Sequence, residues 1–233
     1  MTSRKQEKEE RRQQRLQWER EQAEQAKRRR LYSIVAGGIL VAAAAAAIII
    51  ALAAGGGGGS SASADELGGK KLTVAATKPP PQDESDLFAI ARQANCKLTN
   101  PVIEGRTHLQ PGTALPKYKT NPPASGNHDP VWANDGAYSK APGLRHTIHA
   151  LEHGRIEVQW RGISAKRISQ LKGLYDEDPY HMLYFPNNSN MDGQLAVVAW
   201  GHIALCKKMT DEDFDLIRAF TTRYRDKGPE FVP

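Results

Sequence analysis

Cysteine is nearly absent from this 233-residue chain: Cys96 and Cys206 are the only two. No C-x-x-C pair, P-loop or dinucleotide-binding glycine pattern occurs, which removes the common dithiol, nucleotide-phosphate and nicotinamide chemistries from consideration. No internal repeat occurs. Charge is missing altogether from residues 31–54, LYSIVAGGILVAAAAAAIIIALAA. A helix of that length is about 36 Å long, enough to cross a hydrocarbon core of about 30 Å. A buried core helix would carry a polar face, and this segment has none. It is read as a transmembrane span.

The flanks set its direction. Residues 1–30 hold eleven basic and six acidic side chains, a net of +5, ending in Lys27, Arg28, Arg29 and Arg30. The positive-inside rule keeps this end cytoplasmic and sends the rest across the membrane. A cleaved signal peptide is the rival, because Ala51-Leu52-Ala53 resembles a cleavage site. Its apolar region would normally be only about 7–15 residues long. The formal charge of +6 is therefore mostly membrane-proximal, and it favours anionic lipid headgroups over nucleic acid as the partner of the basic block.

Both cysteines lie on the exported side, where an even count suggests a disulfide. Two separate buried thiols are the alternative. The chain divides into a basic cytoplasmic segment (1–30) that favours a charged helix, the span (31–54), a Gly/Ser/Pro-rich linker (55–82) and an exported domain (83–233). In the domain, helices are expected near 83–96, 164–178 and 210–226, the second capped by Ser164 and the third by Thr210. RIEVQW (155–160) alternates as a strand with one buried face, and HMLYFPN and QLAVVAWG read as strands joined by a hairpin-like loop. Residues 97–143 read as a long, ordered Pro/Gly-rich loop region with one or two short strands. The order β-α-β-β-α indicates an α+β domain with a mainly antiparallel sheet.

All seven histidines follow the span, and three fall within HTIHALEHG, residues 146–154. His149, Glu152 and His153 spell H-x-x-E-H, the inverted zinc-peptidase motif. On a helix the two histidines are about 6 Å apart and can share an ion. On a strand they are about 13 Å apart and cannot. Pro142-Gly143 and Gly154 bracket a helix of about two turns. A peptidase also needs a third ligand, for which only Glu177 and Glu212 suggest themselves, and the domain is small for one. A Ser125–His–Asp129 or Asp135 triad lacks a nucleophile elbow. Two readings stay open: a zinc or copper site of His128, His149 and His153, or histidines that hydrogen-bond an irregular loop. Trp132, Trp160 and Trp200 are read as core and loop-packing residues.

Tyr118-x-Thr120-Asn121-Pro122-Pro123-x-Ser125-Gly126-x-His128 is followed by Trp132, Gly136 and Tyr138, by His149-x-Leu151-Glu152-His153-Gly154, and by Ala199-Trp200-Gly201 before Cys206. This combination resembles the bacterial family known as domain of unknown function 3105. The resemblance covers most of residues 96–210. It implies a basic N-terminus, one membrane span and an exported domain, and it carries no activity. It also makes His-Leu-Glu-His-Gly part of that family's pattern beside a His-bearing loop, with Glu152 orienting a ligand imidazole. The expectation is a single-pass bacterial membrane protein that binds or scaffolds in the cell envelope, with no catalysis indicated and a metallohydrolase as the lesser alternative. A zinc or copper site is the alternative.

Overall fold

The computed structural model describes residues 67–110 and 113–230. The basic segment and the apolar run 31–54 lie outside the described residues. Among the described residues, no helix is long and apolar enough to cross a membrane.

The domain is α+β, and the described residues form seven strands and four helices: β1 (Lys70–Lys71), α1 (Leu87–Gln93), β2 (Cys96–Thr99), β3 (Gly136–Lys140), α2 (Leu144–Glu152), β4 (Ile156–Trp160), α3 (Ala165–Glu177), β5 (Met182–Pro186), β6 (Leu195–Ala199), β7 (His202–Cys206) and α4 (Glu212–Tyr224). One sheet holds all seven strands in the order β1-β3-β5-β4-β6-β7-β2. Most pairings are antiparallel, but β5 runs parallel to both of its neighbours, β3 and β4.

This order corrects the hairpin expected between HMLYFPN and QLAVVAWG. Strand β4 lies between β5 and β6, so the loop after Pro186 crosses over it. The hairpin is instead β6–β7, turned at Trp200-Gly201, where Gly201 has φ +74°. The linker also ends earlier than residue 82. Lys70 and Lys71 pair with β3, Leu72 N donates to Ala137 O, and Thr77 N donates to Ser169 O. Backbone hydrogen bonds and the partly buried Leu72 hold this stretch on the domain.

Helix starts follow local chemistry. Asp86 accepts from Ala89 N at α1 and Ser164 from Arg167 N at α3. At α4 the Thr210 side chain is not the cap: the Asp213 carboxylate accepts from Thr210 N at 2.8 Å. Leu87 and Ile90 of α1, Leu171 and Leu174 of α3, and Phe214, Ile217 and Phe220 of α4 join Ile156, Val158 and Trp160 in the main core. Helix α2 packs through Leu151 with Ala196, Val198 and Ile203 in a second cluster.

Strand β4 is consequently buried on both faces, not one. Glu157 and Gln159, expected at a wet face, are 1% and 3% exposed. Gln159 Nε2 donates to Glu157 Oε2 at 2.6 Å, and Asn187 Nδ2 donates to Gln159 Oε1 at 2.7 Å. Burial pushes the Glu157 carboxyl up to about 8. Folded chains then keep a proton that unfolded chains release, so this group's contribution to stability is full below its ordinary value of 4.5 and declines towards pH 8. Glu157→Gln is expected to lose that slope. Its melting temperature should exceed wild type increasingly from pH 5 to 8 in metal-free buffer, and parallel curves would contradict the assignment.

Cys96 and Cys206 form a disulfide across the register pair that joins β2 to β7, closing a sequence separation of 110 residues. Asp213 Oδ1 lies 3.1 Å from Cys96 Sγ. Burial pushes its carboxyl up to about 7.

Candidate metal centre

Helix α2 is short because glycine brackets it. Gly143 is the N-cap residue, and Gly154 follows with φ +82°. A Cβ at Gly154 would come within 2.7 Å of Asp226 Cα, so both its conformation and its packing require glycine. The nine helical residues place His149 and Glu152 three apart, and His153 closes the helix as its C-cap. One side of α2 and its end therefore carry all three groups.

The second element is the loop around His128. Tyr118 Oη donates to Asn127 O at 2.7 Å and packs on Gly126. Leu109 N donates to His128 O and His128 N to Thr107 O, a short parallel bridge that brings His108 alongside His128. His128 Nδ1 lies 2.7 Å from Gly126 O. Donation by Nδ1–H to that carbonyl leaves the lone pair at Nε2, 2.9 Å from Glu152 Oε2. Two lone-pair atoms at that distance need a proton or a metal cation between them.

His108, His128, His149 and Glu152 each offer an atom within 4.8 Å of the others. Four atoms so spaced lie within about 3 Å of a common point. The Zn–N distance is about 2.0–2.1 Å, so small side-chain adjustments complete a tetrahedral set. His149, His153 and Glu230 form a second such group. The expected trio of His128, His149 and His153 is thus divided, with His149 common to both groups. Glu152, expected to orient a ligand imidazole from outside, presents its carboxylate among the imidazoles.

Burial makes this arrangement costly without a cation. His128 is 0% exposed, His149 2%, Glu152 0% and His153 3%. Among the described residues, His128 Nε2, both nitrogens of His149, both oxygens of Glu152 and His153 Nδ1 are buried without a hydrogen-bond partner. Each such group costs about 1–3 kcal/mol. Burial, followed by the neighbouring imidazoles of His153, His128 and His108, pushes His149 down to about 3. Burial and then Arg155 push His153 down to about 4. Burial also lowers His128, and it raises Glu152 to about 7 with help from Glu230. At neutral pH these three imidazoles are uncharged and offer lone pairs, the state a metal requires. Trp132 walls the site, its ring centroid 4.7 Å from His153 and 5.7 Å from His149.

The competing schemes dissolve. Ser125 Oγ accepts from Glu104 N, Asp129 pairs with Arg145 and Asp135 with Arg155, and among the described residues no hydrogen bond joins the Ser125 side chain to a histidine. Glu177 pairs with Arg218, and Glu212 belongs to neither ligand group. His146 Nδ1 bonds Val131 O, a loop-holding role of the kind expected for some of the histidines. Cys96, Cys206 and Asp213 also cluster, but both sulfurs are spent in the disulfide. Trp160 lies in the main core, and Trp132 and Trp200 pack on the smaller clusters.

His108 and Glu230 join the site without any signal in the sequence pattern. Neither sits on a periodic element: His108 is placed by a two-residue bridge and Glu230 lies beyond the Gly228-Pro229 stop.

No curated protein and no solved structure matches the chain. The family model described as protein of unknown function (DUF3105) matches residues 108–232, more than half of the chain. The matched stretch begins at His108 and contains every residue of both ligand groups.

Proposed function

We propose, for a chain that belongs to the DUF3105 family of proteins of unknown function, that its globular domain binds a transition metal ion, zinc or copper, through His108, His128, His149 and Glu152. One observation carries the reading: four ligand atoms converge while their buried members lack hydrogen-bond partners. Imidazole and carboxylate suit zinc and copper, and no free thiolate competes for a softer ion. Zinc titration of the metal-free full chain tests it. Stoichiometric uptake against a chromophoric chelator is expected, and copper(II) should quench tryptophan fluorescence through Trp132. A chain that takes up neither metal would end the reading.

Membrane anchoring with the domain outside the cytoplasm is the setting we propose for this site. The uncharged run 31–54, the basic residues Lys27–Arg30 and the Cys96–Cys206 disulfide, a bond typical of oxidising compartments, support it. The lipid bilayer and its anionic headgroups are then the first partners. Envelope binding or scaffolding without metal is the second reading, favoured by loop histidines such as His146. Alkaline carbonate washing of membranes should leave the chain in the pellet, and release into the wash would refute the anchor.

A further inference from the structure

His149 belongs to both ligand groups, and its surroundings differ from those of His128. A histidine that binds one metal ordinarily donates its second ring N–H to a carbonyl or carboxylate. His128 is so arranged, with Nδ1 at Gly126 O. Neither nitrogen of His149 makes a well-formed hydrogen bond, the Asp129 backbone giving only a weak contact, and the residue is 2% exposed. Its ring centroid lies 4.7 Å from His108 and 4.6 Å from His128, and 4.3 Å from His153.

From this we infer a two-cation centre, with a second position on His149, His153 and Glu230 and with His149 bridging the pair. The inference rests on the metal reading of the first group. In the bridged state His149 releases its ring proton to solvent and carries a cation at each nitrogen as an imidazolate. No change of oxidation state is involved.

The second position is built by the end of the chain. Glu230 N donates to Glu152 O at 3.1 Å and Asp226 N to Gly154 O at 2.9 Å, so residues 226–230 strap the end of α2. A side chain at Gly228 would collide with Glu152 O and Gly154 N, which keeps the strap close. Glu230 Oε2 then lies 3.6 Å from His153 Nε2, while His153 Nδ1 is buried and unpartnered. Each group has one solvent-facing ligand, His108 at 43% side-chain exposure and Glu230 at 48%. The two groups thus meet solvent through different side chains.

Copper(II) loading of the full chain, followed by copper analysis and electron paramagnetic resonance, tests the inference. Two coppers per chain are expected, with a spin count well below two because the imidazolate couples the unpaired electrons. Glu230→Gln and, separately, His153→Gln should bind one copper per chain with its full spin restored. One copper in wild type, unchanged in Glu230→Gln, would overturn the second position and leave the first intact. Loss of all copper in a Glu230→Gln chain with wild-type circular dichroism would mean one fused site, again overturning it. A wild-type chain that binds no copper or zinc defeats the metal reading itself.

Discussion

Replacing His149 with leucine is expected to stabilise the metal-free protein and to abolish its response to zinc. The two effects share one cause. In the folded chain the imidazole is buried with both nitrogens unpartnered, and each such atom costs about 1–3 kcal/mol. An apolar side chain of similar volume removes that cost, and the repacking penalty for such exchanges is usually under about 1.5 kcal/mol. The apo variant should therefore match or exceed wild type by roughly 1–2 kcal/mol. Zinc at one hundred times its dissociation constant stabilises the wild type by about 2.7 kcal/mol. For a domain of this size that corresponds to a rise of about 5–10 °C in melting temperature. The variant should show no rise, because both ligand groups contain His149. Calorimetry with and without zinc reads both arms. A variant destabilised without metal, yet still raised by zinc, would show that the ring is a packing residue.

Removing the Cys96–Cys206 bond should cost more than any single side chain outside the core. The bond closes a separation of 110 residues. Chain entropy alone assigns such a loop about 4–5 kcal/mol, against a typical total stability of about 5–15 kcal/mol. The bond fastens β2, an edge strand, to β7, and α1 immediately precedes β2. Cys96→Ala/Cys206→Ala is expected to melt about 10–20 °C lower than wild type. Hydrogen exchange should rise first in residues 87–99, where β2 has a partner on one side only. A shift of under about 3 °C would mean that β2 and β7 are held by their backbone ladder alone.

The sequence was most legible where a period repeats. Ser164 at the start of α3, the two-turn allowance between Gly143 and Gly154, and the alternation of Ile156, Val158 and Trp160 all correspond to observed elements. Alternation alone does not reveal what covers the other face, so the burial of Glu157 and Gln159 was invisible. The hairpin was misplaced because adjacency of two apolar runs in sequence does not exclude a third strand between them. In the site, His149, Glu152 and His153 were legible through helical spacing and His128 through the motif around it. His108 and Glu230 reach the site through a short bridge and a terminal strap, neither of which leaves a periodic trace.

Anomalous diffraction at the zinc edge, from crystals of the full chain grown with zinc, locates the ion itself. A peak is expected about 2.0–2.1 Å from imidazole nitrogens of His128 and His149, with Glu152 also coordinated. Zinc found only at surface carboxylates, with His128 Nε2 still against Glu152 Oε2, would contradict the metal reading.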